Sequence, residues 1–299
     1  EYAFIVIHGT PGEDGKLQGY LDMVRIPYNT SSAAIMALTF QKFHCNQFLK
    51  NFGINVPEAI LIKPDDEINE SLILEKVKLP CFVKPTDGGS SLGVTKVKNE
   101  NKLLPAIKAA FEHGTEIVVE ENIEGREVTG GVYRNKEGIK ALPVTEIISE
   151  NEYFDYDAKY NGKSKEITPA ELTDLMTTQL QSLSKEIYGV LGMKGIVRVD
   201  YIISKEKTPY VIEVNSIPGM SKESIIPQMI QISGVQMNEI LIWRINITTY
   251  YNNQMNTIPL HKPSLSKKDI NAAVKVLESG MLVMGKKTLE FEKLASKYI

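Results

Sequence analysis

Two strand-like runs lie almost back to back in this chain: GIVRVDYII over 195–203 and PYVIEVN over 209–215, separated only by SKEKT. So short a connection suits antiparallel pairing, because a parallel return needs a crossover of about a dozen residues or more. The hairpin therefore commits the chain to a sheet-containing fold. Side chains two apart on a strand share a face. Arg198 and Asp200 form one such pair, Glu213 and Asn215 the other, and Pro218-Gly219 stops the second run. If the runs pair, two carboxylates and an amide converge at one end. Their oxygens form either a satisfied polar cluster or a set of hard ligands for Mg²⁺, which shares its shell with phosphates and water. Arg198 beside them is either their salt-bridge partner or a stabiliser of a developing oxyanion.

The remaining segments alternate between strand-like and helical patterns. AFIVI (3–7) reads as a buried strand, followed by a Gly-rich loop that enters a helix. The stretch 29–53 reads as helical with Gly53 as its cap, and Pro57 lies beyond it. PEAILI, CFVKP, EIVVEENI and REVTGGVY read as strands, TDGGSSLGVTKV as a hairpin loop, and 100–113 and 171–192 as helices. The polar, aromatic-rich stretch 151–170 reads as a loop. No apolar run approaches the roughly 18 residues of a membrane span. The net charge of −3 provides no basic field for nucleic acid. Cys45 and Cys81 are too few for a disulfide framework, so a cytoplasmic protein is expected.

Three further features bear on chemistry. Lys84 ends the apolar run CFVK, where a buried ammonium needs an anion. The loop TDGGSSLG after it is rich in N–H groups and hydroxyls able to cover phosphates, although most such loops are merely turns. Glu120–Ile123, EENI, stands at a strand end, where it would be either solvated or in contact with a nucleoside. Neither the P-loop pattern nor a G-x-G-x-x-G after a strand occurs.

Six motifs occur in order: HGTPGEDGKLQG, FVKPTDGGSSLGVTKV, VVEENIEGREV, FDYDAKY, GIVRVDY and EVNSIPGMSKESIIP. Together they resemble the D-alanine–D-alanine ligases, enzymes of the ATP-grasp fold, from residue 1 to about 243. The resemblance implies an α/β (α+β) architecture. Residues 1–41 would be the remnant of an N-terminal parallel α/β substrate domain, 42–123 the central ATP-grasp subdomain and 124–246 the C-terminal catalytic subdomain, with a junction at 247–254 and an appended helical segment at 255–299. It implies that Lys42 and Lys84 contact ATP phosphates, and that Glu120, Ile123 and Glu127 line the nucleotide pocket. Asp200, Glu213 and Asn215 would hold two Mg²⁺ ions, with Mn²⁺ as a substitute. Arg198 and the Gly219 amide would form an oxyanion hole. Ser224 would bind the second D-alanine carboxylate and His8 would lie near the first D-alanine. Lys159 would reach the phosphate and Tyr160 would close its loop over Ser90.

The implied activity is ATP-dependent ligation of two D-alanines for peptidoglycan synthesis. The alternatives are a D-lactate- or D-serine-accepting relative, or an ATP-binding remnant without catalysis. Tyr160 favours an amine nucleophile. The resemblance also suggests a homodimer. Because the chain opens directly on a strand-like run, an N-terminal truncation that removes a catalytic Glu is expected. The stretch 258–298 resembles the opening of sugar-type pyridoxal-phosphate aminotransferases, so Met255 would be the start of a neighbouring gene or the tail a lineage-specific extension. Within it, Ser266 and Asp269 form a capping-box pattern ahead of Ile270, Val274 and Leu277.

Overall fold

The structure, a computed structural model, describes residues 2–87, 93–149, 164–237 and 240, with a few positions between Lys267 and Lys293. The chain divides into two compact units, residues 1–252 and 253–299. Among the described residues the first unit holds the helix α1 (Lys16–Met23) ahead of two antiparallel sheets. The smaller is built from β1 (Ala59–Ile62), β2 (Cys81–Pro85), β3 (Thr95–Val97) and β4 (Ile117–Glu121) in the order β1-β4-β2-β3. The larger contains β5 (Gly125–Asn135), β7 (Thr145–Ser149), β8 (Ser164–Ile167), β9 (Ile196–Ser204) and β10 (Pro209–Asn215) in the order β10-β9-β5-β7-β8, with β6 (Gly138–Ala141) pairing β5.

Period-two patterning builds both sheets. Along β9, Val197, Val199, Tyr201 and Ile203 are buried, while Arg198, Asp200 and Ile202 take the other face. The buried set packs under α6 (Asp174–Val190), through Leu180, Ile187 and Tyr188, and beside Cys45 and Leu49 of α3 (Lys42–Lys50). In the smaller sheet Cys81, Val83, Ile117 and Val119 pack against Ile73 and Val77 of α4 (Glu70–Val77) and Leu103 and Ile107 of α5 (Leu103–Ala110). Thr173 caps α6 by accepting from the Met176 N–H, and Asn69 caps α4 by accepting from the Leu72 N–H. A third cluster joins Ile226, Met229 and Ile230 of α7 (Ile225–Ser233) to Tyr133, Leu142 and Ile147.

Three expectations are corrected. Residues 3–7 are not a strand: a single parallel bridge joins Ala3 to Tyr28, and Phe4, Val6 and Ile7 are about half exposed. A strand exists only through pairing, and here the Asn29 side chain binds the Ile5 N–H and C=O in place of a neighbouring strand. The single helix expected over 29–53 is two, α2 (Ala33–Phe40) and α3, broken at Gln41, whose extended backbone bridges Asp87. That break makes Lys42 the first residue of α3, with its N–H donated to the Thr86 carbonyl at 2.9 Å. Finally, Ser164–Ile167, expected within a loop, is a strand paired with β7.

Candidate active site

The hairpin of β9 and β10 forms as the sequence suggests, and its register places Glu213 opposite Asp200 and Asn215 opposite Arg198. Arg198 donates from Nε and Nη2 to the two Asp200 carboxylate oxygens at 2.8 and 2.9 Å. Thr129 on β5 lies opposite Asp200 and donates its hydroxyl to Asp200 Oδ1 at 2.6 Å. Burial opposes the Arg198 charge most strongly, but Asp200, then Glu213 and Glu166, hold its pKa above the ordinary value. Lys42 at the start of α3 reaches Glu213 Oε2 at 3.9 Å.

Asn215 contributes an observation that bears on whether these residues fit a cation. Its Oδ1 is buried and, among the described residues, accepts no hydrogen bond, and an orphaned buried acceptor carries a cost unless something fills its lone pairs. Two carboxylates and this amide oxygen suit a hard cation. Among the described residues no group of three or more His, Cys, Asp or Glu side chains could hold a metal ion. A cation here would therefore share its shell with phosphate or water oxygens.

In the smaller sheet Lys84 and Glu120 lie on the face of β2 and β4 opposite the core residues, and Lys84 Nζ meets Glu120 Oε1 at 2.6 Å. Their side chains are only 10% and 5% exposed. Desolvating such a pair costs roughly several kcal/mol per ion, offset only by close geometry. Glu127 and Ile123 are half-buried near this strand end. Gly219 lies against Ser224: a Cβ at Gly219 would come within 2.6 Å of Ser224 Oγ. Ser224 is the N-cap residue of α7, and its hydroxyl pairs with Ser221 Oγ at 2.8 Å. His8 is exposed on the loop 8–15. Ser90, Lys159 and Tyr160 lie outside the described residues.

Sequence reasoning missed four side chains around this site. Glu13 accepts from the Gly9 N–H at 2.6 Å. Burial raises its pKa, the Gly9 hydrogen bond and His8 oppose this, Glu213 raises it again and Lys42 lowers it. The motif HGTPGEDG contains this acid, but nothing in its pattern separates Glu13 from Asp14. Thr129, Asn46 and Glu166 gave no signal either, because each acts through a partner far away in sequence.

The sequence profile described as D-ala D-ala ligase C-terminus matches residues 48–245. The chain is 46% identical over 241 residues to a D-alanine–D-alanine ligase of Bacteroides fragilis, covering 81% of this chain and 74% of that protein. It is 48% identical over 242 residues to a D-alanine–D-alanine ligase of Porphyromonas gingivalis, covering 81% and 73%. The crystal structure of a D-alanine–D-alanine ligase from Bacillus anthracis complexed with ATP superposes with a TM-score of 0.72 at 28% identity, covering 85% of this chain and 80% of that one. Two antiparallel sheets, each backed by helices and presenting ion-paired side chains on the other face, thus define a protein of the ATP-grasp class. Within that class, the chain belongs to the D-alanine–D-alanine ligase family.

Proposed function

We propose that the chain joins two D-alanine molecules into D-alanyl-D-alanine at the expense of ATP, through an acyl phosphate, for peptidoglycan synthesis in the cytoplasm. One observation carries the residue assignment: Asp200, held by Arg198 and Thr129, stands opposite Glu213, within the same hairpin as the orphaned Asn215 oxygen. In this reading Lys42 and Lys84 hold the ATP phosphates, and Glu120, Ile123 and Glu127 line the nucleotide pocket. Asp200, Glu213 and Asn215 hold Mg²⁺, which when bound neutralises charge on the transferred phosphoryl group.

The γ-phosphoryl group passes to the carboxylate of the first D-alanine, near His8. The amine of the second D-alanine, its carboxylate held by Ser224, then attacks the acyl carbon. The bond to phosphate breaks, phosphate leaves, and the amine loses its proton. Arg198 spends two of its five N–H donors on Asp200, so its fork is oriented in advance and keeps donors for the oxyanion beside the Gly219 N–H. Lys159 would reach the phosphate, and Tyr160 would close its loop over Ser90, excluding the water that hydrolyses an acyl phosphate.

The test is D-alanine-dependent release of phosphate from ATP together with chromatographic detection of D-alanyl-D-alanine. Asp200→Asn and Glu213→Gln should each lower turnover by at least about a hundredfold, since each removes a charge facing polyphosphate. ATP binding with no D-alanine-dependent phosphate release would overturn the ligase reading, and unchanged turnover in both variants would overturn the metal assignment.

A further inference from the structure

We infer that Asn46 is a positioning residue for the proposed cation-binding strand: it holds a one-residue bulge in β10 that decides which face Glu213 and Asn215 occupy. The inference rests on reading Asp200, Glu213 and Asn215 as cation ligands.

Regular alternation along β10 would run Val211 inward, Ile212 outward, Glu213 inward. The structure instead buries Val211 and Val214, three residues apart, and leaves Ile212, Glu213 and Asn215 half-buried. The register accounts for this. Val211 pairs Tyr201, Glu213 pairs the next residue, Asp200, and Ile212 has no partner on β9. With this sequence, a regular strand would set Ile212 opposite Asp200 and turn Glu213 and Asn215 onto the apolar face occupied by Val199 and Tyr201, because a slip of one residue exchanges the faces.

A bulge leaves backbone groups off the ladder, and here α3 and the segment after it engage them. Asn46 Nδ2 donates to the Ile212 carbonyl at 3.1 Å, and the Val211 N–H donates to the Asn55 carbonyl at 2.9 Å. Asn46 is 3% exposed and, apart from this bond, its Oδ1 is left without a partner among the described residues. An amide buried at that cost points to a specific task for its donor. Lys42, one helical turn before Asn46, meets Glu213 itself. One face of α3 therefore grips β10 at the bulge and at the carboxylate just beyond it.

The experiment measures Mn²⁺ binding in the presence of ADP, from the electron paramagnetic resonance of free Mn²⁺, with the full 299-residue chain. Asn46→Leu should weaken Mn²⁺ binding about tenfold, the scale of one buried hydrogen bond, while leaving the D-alanine KM of the enzyme unchanged. Deleting Ile212 in the Asn46→Leu background should restore Mn²⁺ binding, because without the extra residue a regular strand keeps Glu213 and Asn215 on the face of Asp200. Should Asn46→Leu fail to fold, Asn46→Ser, whose hydroxyl is too short to reach the carbonyl, carries the same expectation. Unchanged Mn²⁺ binding in a folded Asn46 variant, alongside weakened binding in Glu213→Gln, overturns this inference and leaves the cation reading standing. Unchanged binding in Glu213→Gln overturns the cation reading and this inference with it.

Discussion

Arg198 is held by two parallel hydrogen bonds before any substrate arrives, and its planar fork makes that possible. Arg198→Lys keeps the charge and loses the fork. Turnover should fall roughly ten- to a thousandfold, the range for one oxyanion donor, while ATP affinity measured by calorimetry stays the same. Loss of ATP affinity instead would mark Arg198 as a nucleotide ligand. Glu166, on β8, accepts a hydrogen bond from Gln228 of α7 at 3.3 Å. Burial raises its pKa above the ordinary 4.5, and the Gln228 bond and Arg198 only partly oppose this. The folded state therefore holds this proton more tightly than the unfolded chain, and stability is lost as pH rises from about 4.5 through the folded value. Glu166→Gln keeps an acceptor for Gln228 and removes that loss. Its melting temperature relative to the parent protein should rise between pH 4 and pH 7, and a gap that shrinks over that interval would show that attraction to Arg198 outweighs burial.

The elements owe their spacing to close approaches that small residues permit. At the start of β5 a Cβ on Gly125 would lie 1.9 Å from the Ile203 carbonyl oxygen, a backbone atom of β9. At Gly131 the nearest atoms, at 2.8 to 2.9 Å, are the ends of Leu142, Ile226 and Met229. Backbone cannot rotate away, whereas side-chain ends can. Gly125→Ala should therefore cost about 3 kcal/mol or more and Gly131→Ala about 1–2 kcal/mol, as chemical denaturation would measure. A larger loss at Gly131 would show that α7 is the more rigid neighbour. The β9–β10 hairpin was legible in the sequence because period-two patterning and a short polar connection leave few alternatives. Lys84 was legible as a charge that needed an anion, and Glu120 proved to be that anion. The bulge was not legible, since Ile212 continues an apolar run and only the pairing with Asp200 shows it to be extra. AFIVI shows the opposite limit: its composition is strand-like, but pairing, which composition does not encode, leaves it with one bridge.

At the scale of the whole first unit, α3 links the sheets. Its first residue binds the Thr86 carbonyl just beyond β2, while Lys42 and Asn46 engage β10 of the larger sheet. The core supports the arrangement on the side of the larger sheet, since Cys45 and Leu49 of the same helix sit among the buried residues of β9 and β10. The same packing has a consequence for encounters between molecules. A sheet edge with free N–H and C=O groups is a template on which a second chain can add a strand. Among the described strands β1, β3, β6 and β8 lie at edges and hold three or four residues each, too short to guide such growth. The long edge is the seven-residue β10, and Asn46 and Asn55 occupy backbone groups on its outer side. The strand that carries Glu213 and Asn215 is thereby shielded from edge-to-edge association at high concentration.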